Sequence, residues 1–273
     1  MLGRGAIHVL LDGLIRNSWF FALVGVVGLW ELAAPRGVLT ARRSLRWPTS
    51  FTLGPFNALL ATVPLAPFAL AIALTERGWG LSTTTRLPLW VTIAVSVLLL
   101  DLLFYFQHRA FHAVPVLWSV HRVHHADVDF DYTTAFRFHP IEALLTNGTA
   151  LAAVTVFGLP AFAVLVHQTL ATGMTIFEHA NARCPSAVEV RLRRIFVTPD
   201  MHRIHHSTGA PSTDSNFATI LSCWDRWLGT YRSHATRGRD GMEIGLTEFR
   251  DPKYLTLPWT LAMPFLRPRR VRG

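Results

Sequence analysis

An all-helical integral membrane bundle of about four to five spans, with a helical cytosolic cap over one end, is the fold class this sequence predicts. Three observations point to it. Of 273 residues, 51% are hydrophobic and only 16% charged, with mean hydropathy +0.31, a balance suited to lipid as solvent. The apolar residues gather into stretches near the roughly twenty needed to cross a bilayer as a helix. The polar residues collect instead at 108–142 and 179–253, where they can form a layer over the ends of the spans.

Trp19–Ala34 is apolar apart from Glu31 and, with Asn17 and Ser18, makes the first span. No short apolar core followed by a small-residue cleavage site precedes it, so it reads as a retained anchor rather than a signal peptide. Phe51–Thr75 is the second span, and Pro55, Pro64 and Pro67 predict that it is kinked or irregular. Leu87–Gln107 is the third; it carries Asp101 near its end and runs straight into His108. Ala143–Phe177 has Gly158-Leu159-Pro160 in its middle, and at about twenty residues per crossing it reads as a helical hairpin. Tyr254–Leu266 is too short to span and is read as interfacial or packed against the body. With no Ser/Gly linker, low-complexity tract or tandem array, residues 1–273 form one domain, its histidine-rich part lying at about 101–231.

Basic residues orient the bundle. Arg36, Arg42, Arg43 and Arg46 follow the first span, and Arg267, Arg269, Arg270 and Arg272 crowd the C-terminus, so both groups belong in the cytoplasm by the positive-inside rule. The loop bearing Glu76, Arg77 and Arg86 is nearly neutral and falls on the far side. The third span then returns to the cytoplasmic face, and the hairpin starts and finishes there. A net charge of +9 in a soluble chain would suggest nucleic acid; here the cations flank apolar spans, and anionic lipid headgroups are the expected partner. Cys184 and Cys223 have no C-x-x-C partner and are expected as free thiols in a reducing compartment.

The candidate site is written in histidine. His108 and His112 open a series that continues with His121, His124 and His125, and His202, His205 and His206 repeat the H-R-x-H-H pattern. On a helix the i,i+3 and i,i+4 spacings place imidazoles on one face, a turn apart, where several converge on a metal. Neutral imidazole suits iron, zinc, copper and nickel. A single zinc needs only about three or four protein ligands, so eight histidines suggest a two-metal centre. Eight imidazoles buried together without metal would be costly in unsatisfied or repelling groups.

The order, spacing and neighbours of these boxes resemble those of the fatty acid hydroxylase and sterol desaturase superfamily of integral membrane di-iron oxygenases. The resemblance runs over about half the chain. It is carried by D-L-L-F-Y-F-Q-H-R-A-F-H (Asp101 to His112), V-P-V-L-W-S-V-H-R-V-H-H (Val114 to His125), R-F-H-P-I-E (Arg137 to Glu142), F-E-H-A-N (Phe177 to Asn181), T-P-D-M-H-R-I-H-H-S (Thr198 to Ser207) and N-F-A-T-I-L-S-C-W-D-R-W-L-G-T-Y (Asn216 to Tyr231). It implies that His108, His112, His121, His124, His125, His202, His205 and His206 are metal ligands. It also implies a further ligand at His179, where some relatives have another histidine four residues on and this chain has Arg183. His139 is implied either as a ligand or as a partner of one.

The same resemblance implies two iron ions, dioxygen as co-substrate and a lipid substrate drawn from the bilayer. The outcome is hydroxylation of a C–H bond, with desaturation of a sterol or other lipid as the alternative. Hydroxylation is favoured because it needs one hydrogen abstraction rather than two. The sequence has no haem or iron–sulfur cysteine pattern, so a separate electron donor, a reductase, ferredoxin or cytochrome type, is expected.

Two other classes compete less well. A membrane zinc hydrolase would carry a carboxylate base as in H-E-x-x-H, where these boxes have Arg or Phe, and a metal transporter would hold its ligands near the midplane rather than at the span ends. His8, His167 and His234 read as ordinary polar residues. Asp101 is either an acceptor for a ligand imidazole or a headgroup-level polar residue. Asp127, Asp129 and Asp131 are expected as solvated loop residues or caps, Trp224, Trp227 and Tyr231 as interfacial anchors, and Asn216 as a ligand partner or a cap.

Overall fold

A computed structural model describes residues 18–61, 67–85, 87–209, 211–235 and 242–267. His8, Pro64, Arg86, Arg269, Arg270 and Arg272 lie outside them. The helices are α1 (Ser18–Ala33), α2 (Arg43–Ala61), α3 (Pro67–Glu76), the single turn α4 (Leu81–Thr84), α5 (Leu89–Ala113), α6 (Pro115–His125), α7 (Pro140–Phe157), α8 (Ala161–Glu178), α9 (Ser186–Leu192), α10 (Pro199–His205), α11 (Cys223–Trp227) and α12 (Leu257–Ala262). Among the described residues there are no strands, only isolated bridges such as Pro35 to Ala182 and Phe196 to Leu221.

Two helices, α5 and α7, are long and apolar enough to cross a membrane. At about 1.5 Å per residue the 25 residues of α5 extend roughly 37 Å, past the hydrocarbon core. Their outward residues, including Leu89, Trp90, Val95, Leu144 and Val156, are exposed and apolar, which is the inverse of a soluble surface. α1 and α3 are apolar but shorter. The bundle core forms where Leu100 of α5, Ala153 and Val154 of α7, Val164 of α8, Leu159 between them and Ala71 of α3 pack together.

The third apolar stretch does not stop at Gln107. Its helix continues to Ala113, because falling hydropathy does not break a backbone that has no Gly or Pro before Pro115. His108 and His112 are therefore helical residues of α5 rather than the start of a cap. The second stretch is two helices, α2 and α3, and α2 begins well before Phe51. The hairpin forms as expected: Gly158 ends α7 with φ 57°, and Pro160 precedes α8. A side chain at Gly158 would bring its Cβ to 2.2 Å from Gly80 Cα, so the two backbones meet there, with Leu81 N–H donating to Gly158 O. This contact marks the end of the bundle away from the histidines.

Segment 252–266 packs against α2 and α6 as two 3₁₀ turns flanking α12. Fully buried Arg137 holds it by donating to Val123 O, Tyr254 O and Thr260 Oγ1. Asp127, Asp129 and Asp131 are not solvated. Asp127 and Asp131 bind fully buried Arg46, and Asp129 accepts from the Thr40 and Ala41 N–H groups. Asp131 also caps the 3₁₀ turn Tyr132–Phe136, so the expectation of a cap holds for it alone. Burial of all three is a correction: Arg46, 81 residues upstream of Asp127, takes Asp127 and Asp131, and the amides of residues 40 and 41 take Asp129.

Candidate metal centre

Of the four helices that present histidine to the site, two begin with proline at their first turn, Pro115 of α6 and Pro199 of α10, where the missing N–H costs nothing. Another, α5, arrives from the bundle and delivers His108 and His112 from its last two turns. α6 carries His121, His124 and His125, α10 carries His202 and His205 with His206 as its C-cap, and His179 is the C-cap of α8. The C-terminal ends of α5 and α8 and the N-terminal end of α7 thus converge on one end of the bundle.

There the imidazoles sort into two groups. His108, His112, His121, His125 and His205 form one, and His124, His179, His202 and His206 the other; within each, one nitrogen per residue lies within 4.8 Å of all the rest. The groups adjoin: the His125 and His206 rings stack at 4.3 Å between centroids, and His202 faces His205 at 5.1 Å. Aromatic rings wall the centre, Phe138 against His124, Phe111 against His121, Phe130 against His179, and Phe217 against His108, His112 and His205.

The hydrogen bonds fix which nitrogen faces inward. Nδ1–H of His108 donates to Phe217 O, that of His205 to Ser215 O and that of His179 to Thr175 O, each at 2.7 Å. His121 Nδ1 pairs with Glu142 Oε1 at 2.7 Å, and His112 Nδ1 with Asp214 Oδ1 at 3.3 Å. A carbonyl can only accept, so in His108, His179 and His205 the Nε2 lone pair is left for another partner. Nε2 of His108, His112 and His205 is buried with no hydrogen-bond partner among the described residues.

In the second group, His179 Nε2 stands 3.1 Å from His124 Nε2, 3.1 Å from His202 Nε2 and 3.3 Å from His206 Nε2. One lone pair cannot accept from three donors at once. One cation ligated by all four removes the conflict, and the bond from Nδ1–H to Thr175 O holds the His179 ring in orientation for it. Burial, reinforced by neighbouring imidazoles, holds His124, His125, His202, His205 and His206 well below the usual imidazole pKa, and His179 is pushed down to about 4, so the rings are neutral and able to ligate. The donors fit a pair of borderline transition-metal ions.

The structure brings nine of the ten singled-out histidines together and leaves out His139. That residue is the N-cap of α7: its Nδ1 accepts from Ile141 N–H and its Nε2 donates to Leu261 O, so both ring nitrogens are engaged away from the two groups. Asp101 reaches no imidazole; its Oδ2 accepts from Trp224 Nε1 at 2.7 Å and from Leu221 N–H, anchoring the 216–231 segment to α5. Asn216 likewise supports backbone, donating to Met201 O and Arg232 O from a positive-φ position. Trp227 is exposed as an anchor would be, whereas Trp224 is tied inward. His167 is buried against Phe104, His234 is exposed, and both cysteines are free.

Glu142 and Glu178 carry no role from sequence alone, although both fall within the quoted motifs. Their proximity to box histidines is a tertiary fact, and the one available signal is a carboxylate one helical turn inside Pro140 or directly before His179.

A sequence model of the fatty acid hydroxylase family matches residues 93–230, half of the chain, and this stretch contains both histidine groups. The chain belongs to the fatty acid hydroxylase family. Among the relatives of this chain, the alkylglycerol monooxygenase of Xenopus tropicalis is 32% identical over 48% of this chain and 28% of its own length. The ornithine lipid hydroxylase OlsE of Rhizobium tropici is 27% identical over 67% of this chain and 53% of its own. The very-long-chain aldehyde decarbonylase GL1-8 of rice is 26% identical over 62% and 63%. The matched region spans 25–35% of the alkylglycerol monooxygenases. No solved structure matches this chain.

Proposed function

We propose that this chain is an iron-dependent oxidoreductase of the membrane that hydroxylates a lipid. The observation that carries the proposal is the pair of adjoining all-nitrogen groups at one end of an apolar bundle. His108, His112, His121, His125 and His205 would hold one iron, and His124, His179, His202 and His206 the other. When bound, two iron ions with dioxygen and electrons supply the oxidising power to remove hydrogen from an unactivated C–H bond.

The protein's part is positional. Backbone carbonyls hold the tautomers of His108, His179 and His205, and Glu142 that of His121, before any metal arrives. Phe111, Phe130, Phe138 and Phe217 keep water away from the imidazoles and stiffen their ring planes. The exposed apolar faces of α5 and α7 let a lipid approach without leaving the bilayer.

A cytoplasmic orientation is supported by basic residues at the same end as the histidines. Arg36 N–H donates to Asn181 O, two residues beyond His179, and Arg42 and Arg43 follow close by and are exposed. Electrons come from a separate protein. The names of two relatives, a monooxygenase and a hydroxylase, favour oxygen insertion over desaturation.

The test is lipidomics on cells with and without the gene, supplied with an electron donor and labelled dioxygen. A lipid heavier by one labelled oxygen is the expected product. A lipid lighter by two hydrogens and unlabelled would replace the proposal with desaturation, and no lipid change would overturn it.

A further inference from the structure

We infer that the cavity where α1 ends is a headgroup site for an anionic lipid, whose phosphate or carboxylate is held by Arg36, Arg43 and Arg183. The inference goes beyond the metal centre and needs only that the chain lies in a bilayer. The cavity measures about 520 Å³ and is also lined by Glu31, Val38 and Asn181. A water takes about 30 Å³ of liquid, so there is room for a whole headgroup rather than a single small ion.

The three guanidiniums come from separate parts of the chain, and backbone pairing brings two of them together. Arg36 N–H donates to Asn181 O at 2.9 Å and Arg183 N–H to Ala34 O at 2.7 Å, so the segment after α1 runs against the segment after α8. Asn181, 3% exposed, pins the pair: its Oδ1 accepts from Gly37 N–H and from Arg203 Nη1, and its Nδ2 donates to Gly37 O. Arg43 is the first residue of α2. The backbone beneath the cradle is therefore ordered without a ligand, which lowers the cost of binding one.

The positive charge is not spent within the protein. Of the three arginines only Arg36 is ion-paired among the described residues, to Asp200 at 2.9 Å. Glu31 is the one acid in the cavity wall. Its Oε1 accepts from Tyr132 N–H and Asn181 N–H, each at 2.8 Å, and it forms no ion pair with Arg43. Arg43 and Arg183 are exposed, and their forked N–H groups match the paired oxygens of a phosphate or carboxylate.

The surroundings select a lipid over a soluble anion. Val26, Leu29 and Leu32 are exposed at i,i+3 spacing, an apolar stripe that climbs one face of α1 toward Pro35 and Arg36. Val38, in the cavity wall itself, is 94% exposed. Water offers these side chains nothing, whereas acyl chains at the headgroup boundary cover them. A lipid whose tail lies on the stripe carries its headgroup to the three arginines. Diffuse attraction of basic residues to an anionic leaflet would need no cavity.

The experiment titrates the full-length protein in neutral detergent with phosphatidylglycerol, phosphatidylcholine or inorganic phosphate and counts bound molecules by native mass spectrometry. Wild type is compared with Arg183→Gln, with Arg43→Gln/Arg183→Gln and with Arg77→Gln at the other end of the bundle. Wild type is expected to hold phosphatidylglycerol more tightly than phosphatidylcholine. Arg183→Gln should weaken that binding about fivefold and the double variant roughly twentyfold, with Arg77→Gln unchanged. The Arg183 side chain is exposed and has no hydrogen bond or ion pair among the described residues, so its replacement leaves the fold intact and decides the matter even if the double variant is unstable.

Equal affinity of wild type for the two lipids overturns the inference, as does unchanged binding in Arg183→Gln. A loss in Arg77→Gln equal to that in Arg183→Gln would show diffuse charge in place of a site, with the same consequence. Inorganic phosphate bound as tightly as phosphatidylglycerol would make this a soluble-anion site and overturn the lipid assignment.

Discussion

Arg46 and Asp127 meet in a two-pronged ion pair, Nε to Oδ1 at 2.6 Å and Nη2 to Oδ2 at 2.8 Å, where neither side chain is more than 1% exposed. The remaining Arg46 nitrogen binds Asp131 at 2.7 Å. One arginine therefore fastens α2 to the chain that leaves the second histidine box.

Arg46→Met is expected to destabilise the protein by about 3–5 kcal/mol, because two buried carboxylates lose their only shared cation. Arg46→Lys should recover part of this, since an ammonium cannot bind both Asp127 oxygens and reach Asp131 in the same plane. Thermal unfolding in detergent checks both, and an unchanged midpoint for Arg46→Met would contradict the role given to this pair.

His139→Ala and His206→Ala should separate. The first removes a helix cap outside both groups and is expected to cost about 1 kcal/mol while leaving metal content unchanged. The second removes a ligand and should abolish binding of at least one ion, as should His124→Ala, His125→Ala or His205→Ala, with His234→Ala as the silent reference. Metal analysis of purified variants reads this directly; iron loss in His139→Ala equal to that in His206→Ala would return His139 to the ligand set.

Acid should unfold the metal-free protein early. His124, His125, His202, His205 and His206 have folded pKa values far below the usual one through burial, and His179 sits at about 4. Each is neutral when folded and binds a proton near pH 6.5 when unfolded, so protons favour the unfolded chain. Their contribution is complete above about pH 6.5 and is lost as pH falls toward 4. Melting temperatures at pH 7.5 and 5.5 test this, and equal values would show that the cluster is not neutral and buried in the folded state.

Arg42 and Arg77 should lie on opposite sides of the membrane. In a Cys184→Ser/Cys223→Ser background, Arg77→Cys is expected to react with an impermeant maleimide in intact cells, and Arg42→Cys only after permeabilisation. Labelling of both from one side would mean that α2 and α3 turn back without crossing.

Much of this was readable from local pattern. The box histidines come together because i,i+3 and i,i+4 spacing is a statement about one helix face, and the hairpin followed from Gly158 and Pro160. What was not readable depends on distant partners. Asp127 looked like a loop residue because Arg46 is 81 positions away, and Asp101 could be assigned only once Trp224, 123 positions on, was seen beside it. His139 and His179 look alike in sequence. One begins a helix, where its ring is consumed in capping, and the other ends a helix that points into the site. α5 runs on to Ala113, past the apolar stretch that ends at Gln107, because hydropathy changes at His108 while helix propensity does not.

The aspartates after the second box also bear on which metals the centre admits. Asp127, Asp129 and Asp131 are the carboxylates nearest in sequence to His124 and His125, and all three are committed elsewhere, to Arg46 and to the amides of residues 40 and 41. Hard oxygen donors are what magnesium and calcium require, and those ions bind imidazole poorly. With two of these donors held by Arg46 and the third by backbone amides, the donors grouped at the centre are imidazole nitrogens, a set suited to iron, zinc, copper or nickel rather than to magnesium or calcium.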